Sequence, residues 1–431
     1  MRKRKPEELK DSGIMWLGNI PSDWRVKKLK FISVPQTSNV DKKSKEGETD
    51  VELCNYTDVY YNEFITHDIT FMKATATKDQ IKKFRLKKGD VIITKDSESP
   101  EDIAVPALVR ETKENLICGY HLAQIKPRNQ QLTGDFLFRL FQSDLYSEEF
   151  GNRSNGITRY GLGTFELKNV DVLLPSLQEQ KAIATFLDHK TQAIDQLIEK
   201  KQQLIEKLME KRQALITRAV TKGLNPDAPM KDSGIEWLGE IPEQWGIVRM
   251  RYLGKIDTGN KDTQDSVDGG EYPFFVRSDT IERLNSYSFD TEAVMTSGDG
   301  AGVCKIYHHY DGKFALHQRM YAIYDFKGIL AKYVYYSMKA NFEKEVFKLS
   351  AKSTVESLRM PMLKNFPIVL CNIDEQKRIV DYIESKLVII DDGITNIETQ
   401  IEKLKEYRQS LISATVTGKI DVRDELKELA E

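Results

Sequence analysis

The chain has 431 residues, too many for one core, so two or three domains of ordinary size are expected. It is 40% hydrophobic and 30% charged, the make-up of a globular protein with long solvated surfaces, and its formal net charge of -2 supplies no overall field to draw in a polyanion. No apolar run approaches the roughly 18 residues of a membrane span, and Cys54, Cys118, Cys304 and Cys371 form no C-x-x-C pair, so buried small hydrophobes are expected rather than a zinc site or disulfide framework.

Arg2, Lys3, Arg4 and Lys5 open the chain with the charge of a targeting peptide, but Pro6, Glu7 and Glu8 follow where an apolar stretch is required, so a cytoplasmic address is expected. Residues 10–24 then read KDSGIMWLGNIPSDW, and residues 231–245 read KDSGIEWLGEIPEQW. Eleven of fifteen positions are identical at an offset of 221, and all four tryptophans, Trp16, Trp24, Trp237 and Trp245, lie in this element. A second repeat has another offset: residues 179–221 match residues 375–417 at 19 of 43 positions, 196 apart and without a gap. Leu167, Lys168 and Asn169 align with Leu363, Lys364 and Asn365 in the same register. The offsets differ by 25 (221 minus 196), so an insertion or deletion lies between about residues 33 and 134. Each unit therefore has a fixed frame and a variable middle.

This divides the chain into a first recognition domain (1–174, lead-in element 10–32), a first long helix (175–222), a second recognition domain (223–370, lead-in element 231–253), a second long helix (371–418) and a C-terminal tail (419–431). In the first domain, Val91–Thr94 reads as a strand and residues 135–150 as one amphipathic helix carrying Phe136, Leu137, Leu140, Phe141 and Leu145. Basic density peaks over residues 71–95, where Lys82, Lys83, Arg85 and Lys95 are candidates for phosphate contact, with a solvated face as the alternative. The connector GNRSNGITRYG places Arg153, Asn155, Arg159 and Tyr160 among glycines, on a loop able to approach base edges closely.

In the first long helix Leu187, Ile194, Ile198, Ile205, Leu208 and Leu215 fall on a heptad stripe with polar breaks at Thr191, Lys201 and Arg212. At 1.5 Å per residue such a helix is on the order of 65 Å long. In the second domain residues 322–324 read as a strand and 330–347 as a helix. Lys348, Lys352, Ser353, Thr354 and Arg359 occupy the stretch corresponding to the first connector, and Lys305, His308, His309, His317, Gln318 and Arg319 form another polar cluster. His308 and His309 are adjacent, without ligand spacing, so no metal site is expected. The second helix carries the stripe through Ile383, Leu387, Ile390, Ile394, Ile397, Ile401, Leu404, Leu411 and Thr415, with Arg408 at the remaining seam position. Two such stripes in one chain are most simply buried against each other as an antiparallel coiled coil with pseudo-twofold symmetry; the alternative is two helices packed separately on their own domains.

The motifs of several enzymes are missing. There is no G-x-x-x-x-G-K-[ST] loop. Tyr160, Gly161, Leu162 and Gly163 faintly resemble a methyltransferase cofactor loop, but no N-P-P-[FY] tetrapeptide follows. The glycine-rich turn at residues 298–302 is weak evidence for phosphate binding. The expected class is α/β (α+β): two globular domains joined by long helices, with no catalytic residue.

The passages DSGIMWLGNIPSDW, DSGIEWLGEIPEQW, LKNVDVLLPSLQEQKAIATFL and LKNFPIVLCNIDEQKRIVDYI resemble the specificity subunits of type I restriction-modification systems, in order and over essentially the whole chain. One departure is Leu370, Cys371, Asn372 where the first copy and the family have a Leu-Pro turn, from which a relaxed strand-to-helix corner is expected with the assignment intact. The resemblance implies that each domain reads half of a bipartite site in double-stranded DNA and that the helices set the spacing and dock two modification subunits. It implies that those subunits bind S-adenosylmethionine and methylate adenine, that restriction subunits use ATP and Mg, and that this chain binds no cofactor. A type II specificity component cutting near its site, a coiled-coil protein adaptor and a self-sufficient methyltransferase are the other readings.

Overall fold

The computed structural model describes residues 2–349 and 357–425. Compact packing divides the chain inside the two long helices: one unit comprises Met1–Lys200 with Thr399–Glu431, the other Lys201–Glu398. Each unit therefore contains one recognition domain, part of the first long helix Leu177–Lys222 and part of the second, Ile373–Val416.

In the first unit a five-stranded sheet runs in the order Ser33–Thr37, Leu122–Pro127, Val91–Thr94, Pro106–Val109, Phe64–Ile65. Val91–Thr94 is the wholly buried central strand, as its unbroken apolar run requires. Leu116–Cys118, Thr49–Cys54 and Met72–Ala76 form a three-stranded sheet over a second small core. The single helix expected over residues 135–150 is two, Gly134–Phe141 and Asp144–Arg153. Ser143 breaks it: its backbone is extended, and its hydroxyl turns back to donate to the Leu140 carbonyl at 2.7 Å. The break lets Phe141, Tyr146 and Phe150 pack together in the core.

The second unit holds a six-stranded sheet in the order Lys255–Thr258, Met320–Tyr324, Phe289–Ser297, Tyr307–Leu316, Tyr272–Phe275, Ile281–Leu284. The strand read at 322–324 lies within Met320–Tyr324, and the helix runs over Ala331–Leu349. The domains thus differ in sheet size and order. All four cysteines are buried and free, as expected, and burial pushes the thiols of Cys304 and Cys371 up to about 12.

What the domains share is the frame. Arg25–Lys28 pairs antiparallel with Asp171–Leu174, and Gly246–Arg249 pairs in the same register with Pro367–Leu370. Each second strand leads into a long helix through a corner held by a buried glutamine. The side-chain oxygen of Gln180 accepts from the Thr133 amide at 2.9 Å while its NH2 donates to the carbonyls of Gln131 and Pro175. Gln376 accepts from Leu330 at 2.9 Å and donates to Gly328 and Cys371. The corner at Cys371 and Asn372 is therefore not relaxed: Asn372 caps the helix through Glu375 N at 2.9 Å, as Ser176 does through Glu179 N at 3.2 Å.

Within each unit the helix segments run antiparallel. In the first, Arg408 donates to Asp195, while Arg4 reaches Glu179 near the start of one helix and Asp421 just past the end of the other. In the second, Arg212 donates to Asp391, while Gly223, at the end of the first helix, lies near Glu375, at the start of the second. Of the seam residues, Leu187, Ile194, Leu387, Ile390, Ile401 and Leu411 are buried; Ile198, Ile205, Leu208, Leu215, Ile394, Ile397 and Leu404 are half-buried. Thr191 is satisfied in the core by donating to Leu187 O and accepting from Arg139.

Candidate nucleic-acid interface

The basic residues of the first domain fall into two groups. Lys82 and Lys83 are exposed on the helix Lys78–Phe84 and Arg85 is half-buried at its end. The Lys83 carbonyl accepts from Gln36 and Lys126, so this group lies at the far end of Leu122–Pro127. Lys95 is at the near end, its ammonium donating to the Tyr120 carbonyl at 2.7 Å. One continuous basic strip is not formed.

The connector closes on itself. Asn155 and Gly161 exchange backbone hydrogen bonds of 3.1 and 2.9 Å, and a Cβ at Gly156 would meet the Arg159 carbonyl at 1.9 Å, so only glycine fits there. Arg153 turns away, into a pair with Glu149 on its own helix, whereas Asn155 is exposed and Tyr160 packs against the core. Arg159 crosses to Asp96 and lies 3.0 Å from His121 Nδ1, which is itself 2.6 Å from Asp96. Asp96–Ser97 pairs with Tyr160–Gly161, which brings the Lys95 end of the sheet to the connector. Tyr56 donates to Ser97 and stacks on Tyr60, setting two tyrosines beside the cluster.

In the second domain Asp299 takes one nitrogen from each of two arginines, Arg277 at 2.9 Å and Arg319 at 2.7 Å. Burial opposes its ionisation, but these hydrogen bonds outweigh burial and hold the carboxyl below the usual carboxylate range. Lys305 is exposed on the loop after Gly302, which lies against the Arg277 carbonyl. Arg359 is exposed, next to Leu358, whose carbonyl accepts from Tyr321. The Lys348 side chain, Lys352 and Thr354 lie outside the described residues. The histidines are engaged locally: His308 with the Ser278 carbonyl, His309 with Glu292, and buried His317 accepting from the Arg319 amide. Burial lowers the pKa of His308 and His317. Among the described residues no group of three or more His, Cys, Asp or Glu could hold a metal, and no helix is long and apolar enough to cross a membrane.

Sequence reading did not single out Asp96, His121, Arg277 or Asp299. Isolated acids and a lone histidine carry no spacing signal; only strand pairing brings them to the basic residues.

The family described as Type I restriction modification DNA specificity domain matches residues 21–207 and 242–406, most of the chain and part of each copy of the frame. The chain belongs to that family. As a specificity chain it is the non-catalytic component of such systems. It is 24% identical over 440 residues to the putative type I restriction enzyme MjaX specificity subunit of Methanocaldococcus jannaschii, a match covering 94% of this chain and 96% of that protein. To the type I restriction enzyme EcoDI specificity subunit of Escherichia coli it is 28% identical over 184 residues, covering 42% of this chain and 40% of that one. The chain thus spans less than half of the EcoDI subunit but nearly all of the MjaX subunit. A chain solved in work on complex assembly and conformational transition of the type I R-M system has the same fold, with a TM-score of 0.71 at 16% identity over 93% of this chain and 99% of that one. The HsdS subunit from Thermoanaerobacter tengcongensis aligns with a TM-score of 0.54 at 17% identity, over 93% and 98%.

Proposed function

We propose that each recognition domain reads one half of a bipartite site in double-stranded DNA. In this reading the paired helices set the distance between the halves and dock two modification subunits, with restriction subunits joining the complex in the cytoplasm. The observation that carries it is the contrast between frame and middle. Lead-in strand, corner glutamine and helix cap recur with the same partners in both units, while the sheets they carry differ in strand number and order. A duplicated frame suits a constant task, such as binding two copies of one partner; unlike middles suit unlike DNA sequences. S-adenosylmethionine, ATP and Mg belong to the partner subunits, and the near-neutral charge of this chain fits a DNA grip completed by them.

The test is to express the chain with its modification partner and map methylated adenines across a genome. A bipartite motif is expected, and exchanging the first recognition domain should change one half and keep the other. Loss of both halves on exchange, or the absence of salt-dependent DNA binding by the assembled complex, would overturn the reading.

A further inference from the structure

The two domains share one arrangement that no repeat in the sequence marks. In the first, Lys95 N donates to the His121 carbonyl at 2.9 Å and the Lys95 carbonyl accepts from Leu162 N at 2.8 Å. In the second, Gly298 N donates to the Arg319 carbonyl at 2.8 Å and the Gly298 carbonyl accepts from Leu358 N at 2.8 Å. The following residue is an aspartate in both: Asp96 faces Gly161 in an antiparallel bridge, and Asp299 faces Ser357. Leu162 and Leu358, like Gly161 and Ser357, are 196 apart, whereas Asp96 and Asp299 are 203 apart (299 minus 96), so the match escapes any single alignment offset.

Around this shared backbone the side chains differ. Asp96 is met by Arg159 and His121, Asp299 by Arg319 and Arg277. His121 and Arg319 occupy the same place, each just before the strand that pairs with the strand ending two residues ahead of the aspartate. The aspartates are mostly covered, at 17% and 23% exposure, while Arg159 and Arg319 are 56% and 60% exposed. Each arginine engages its aspartate through a single nitrogen, and a guanidinium has five N–H donors in a planar fork that fits the O6 and N7 of guanine. A covered acid holding an exposed arginine removes rotamer freedom that DNA binding would otherwise have to quench.

Resting on the proposed reading of DNA, we propose that Asp96 and Asp299 are equivalent positioning residues. Each fixes the basic side chains of its own domain, Arg159 with His121 and Arg277 with Arg319, for contact with base edges of one half-site. The acid and the backbone hydrogen bonds around it are the constant part; the basic partners vary with the sequence read.

The experiment uses the full chain assembled with its modification subunits and duplexes carrying single base-pair changes in one half of the mapped site. Asp96→Asn should lower discrimination in one half by roughly tenfold, the scale of one bidentate base contact, and leave the other half unchanged. Asp299→Asn should do the converse, and both variants should still fold and assemble with the modification subunits. Arg159→Lys and Arg319→Lys, which keep the charge but lose the fork, should reproduce these losses with unspecific binding retained. Unchanged discrimination overturns the assignment. So does equal weakening of both halves by either variant, which would make the aspartates structural. A loss uniform across all sequences with a shallower salt dependence also overturns it, because the arginines would then touch only phosphate. If the native complex shows no bipartite site, the underlying reading fails and this one with it.

Discussion

The Trp24 indole donates to Glu179 Oε2 at 3.0 Å, joining the lead-in element to the first turns of the long helix across 155 residues of chain. Trp245 donates to Glu375 Oε2, also at 3.0 Å, across 130 residues. The difference of 25 is the whole of the insertion that separates the two repeat offsets. Both indoles are 1% exposed, and the Trp24 bond is buried and the Trp245 bond partly so, where an orphaned partner is costly. In chemical unfolding, Trp24→Phe and Trp245→Phe should each cost about 1–3 kcal/mol. A double-mutant cycle of Trp24→Phe with Glu179→Gln should show coupling; strict additivity would count against the bond.

The seam arginines are equivalent by sequence but not by environment. Arg408 is 16% exposed and binds both Asp195 and Glu63, whereas Arg212 is 29% exposed and binds Asp391, itself half exposed. Arg408→Ala removes the shared partner of Glu63 and Asp195, leaving Glu63 only the longer contact to Arg139 at 3.5 Å, and should lower stability by about 1–3 kcal/mol. Arg212→Ala should cost no more than about 1 kcal/mol, as for an exposed pair. Urea midpoints of the two variants measure the difference, and equal values would contradict it.

Gly134 begins its helix against the backbone of Gly89, where a Cβ would stand 2.0 Å from the Gly89 carbonyl oxygen. No side chain can move to relieve that clash. Gly134→Ala should therefore destabilise the first unit by about 1–3 kcal/mol through backbone displacement, despite alanine's better helix propensity. A rise in melting temperature would show that the close approach is not held in solution.

The strand pair of Arg2–Lys3 with Ile420–Asp421 brings Asp421 among Arg2, Arg4 and Arg423. Burial works against its charge, but the hydrogen bonds from Arg423 and Arg2 and the nearby Arg4 outweigh it and hold the carboxyl far below its usual range. A depressed carboxyl stabilises the fold fully above its unfolded pKa of about 3.9 and progressively less as pH falls toward the folded value. Asp421→Asn should lower the melting temperature at pH 7, and its gap from the native chain should narrow as pH falls below about 4. A gap that does not change with pH would exclude the charge as the cause.

Much of the frame was legible because it rests on local or repeated signals. Heptad spacing located both long helices, and two matching passages at two offsets pointed to where the variable part lies. Val91–Thr94 was readable because three consecutive apolar β-branched residues and a threonine fit a strand buried on both faces. The helix break at Ser143 was not, since an amphipathic stripe can continue across a residue that leaves the helical conformation. Nor was the fate of Arg153 and Arg159, six residues apart, one ending a helix and the other on the loop after it: the first pairs with Glu149 on its own helix, the second with Asp96 across the sheet.

By itself the sequence determined the family, the tandem frame and the helices, because periodicity and duplication are properties of order along the chain. Only the tertiary structure decided which basic groups cluster. Strand pairing sets Asp96 opposite Gly161 and Asp299 opposite Ser357, and partners chosen by hydrogen-bond register between distant segments leave no spacing for a sequence to display.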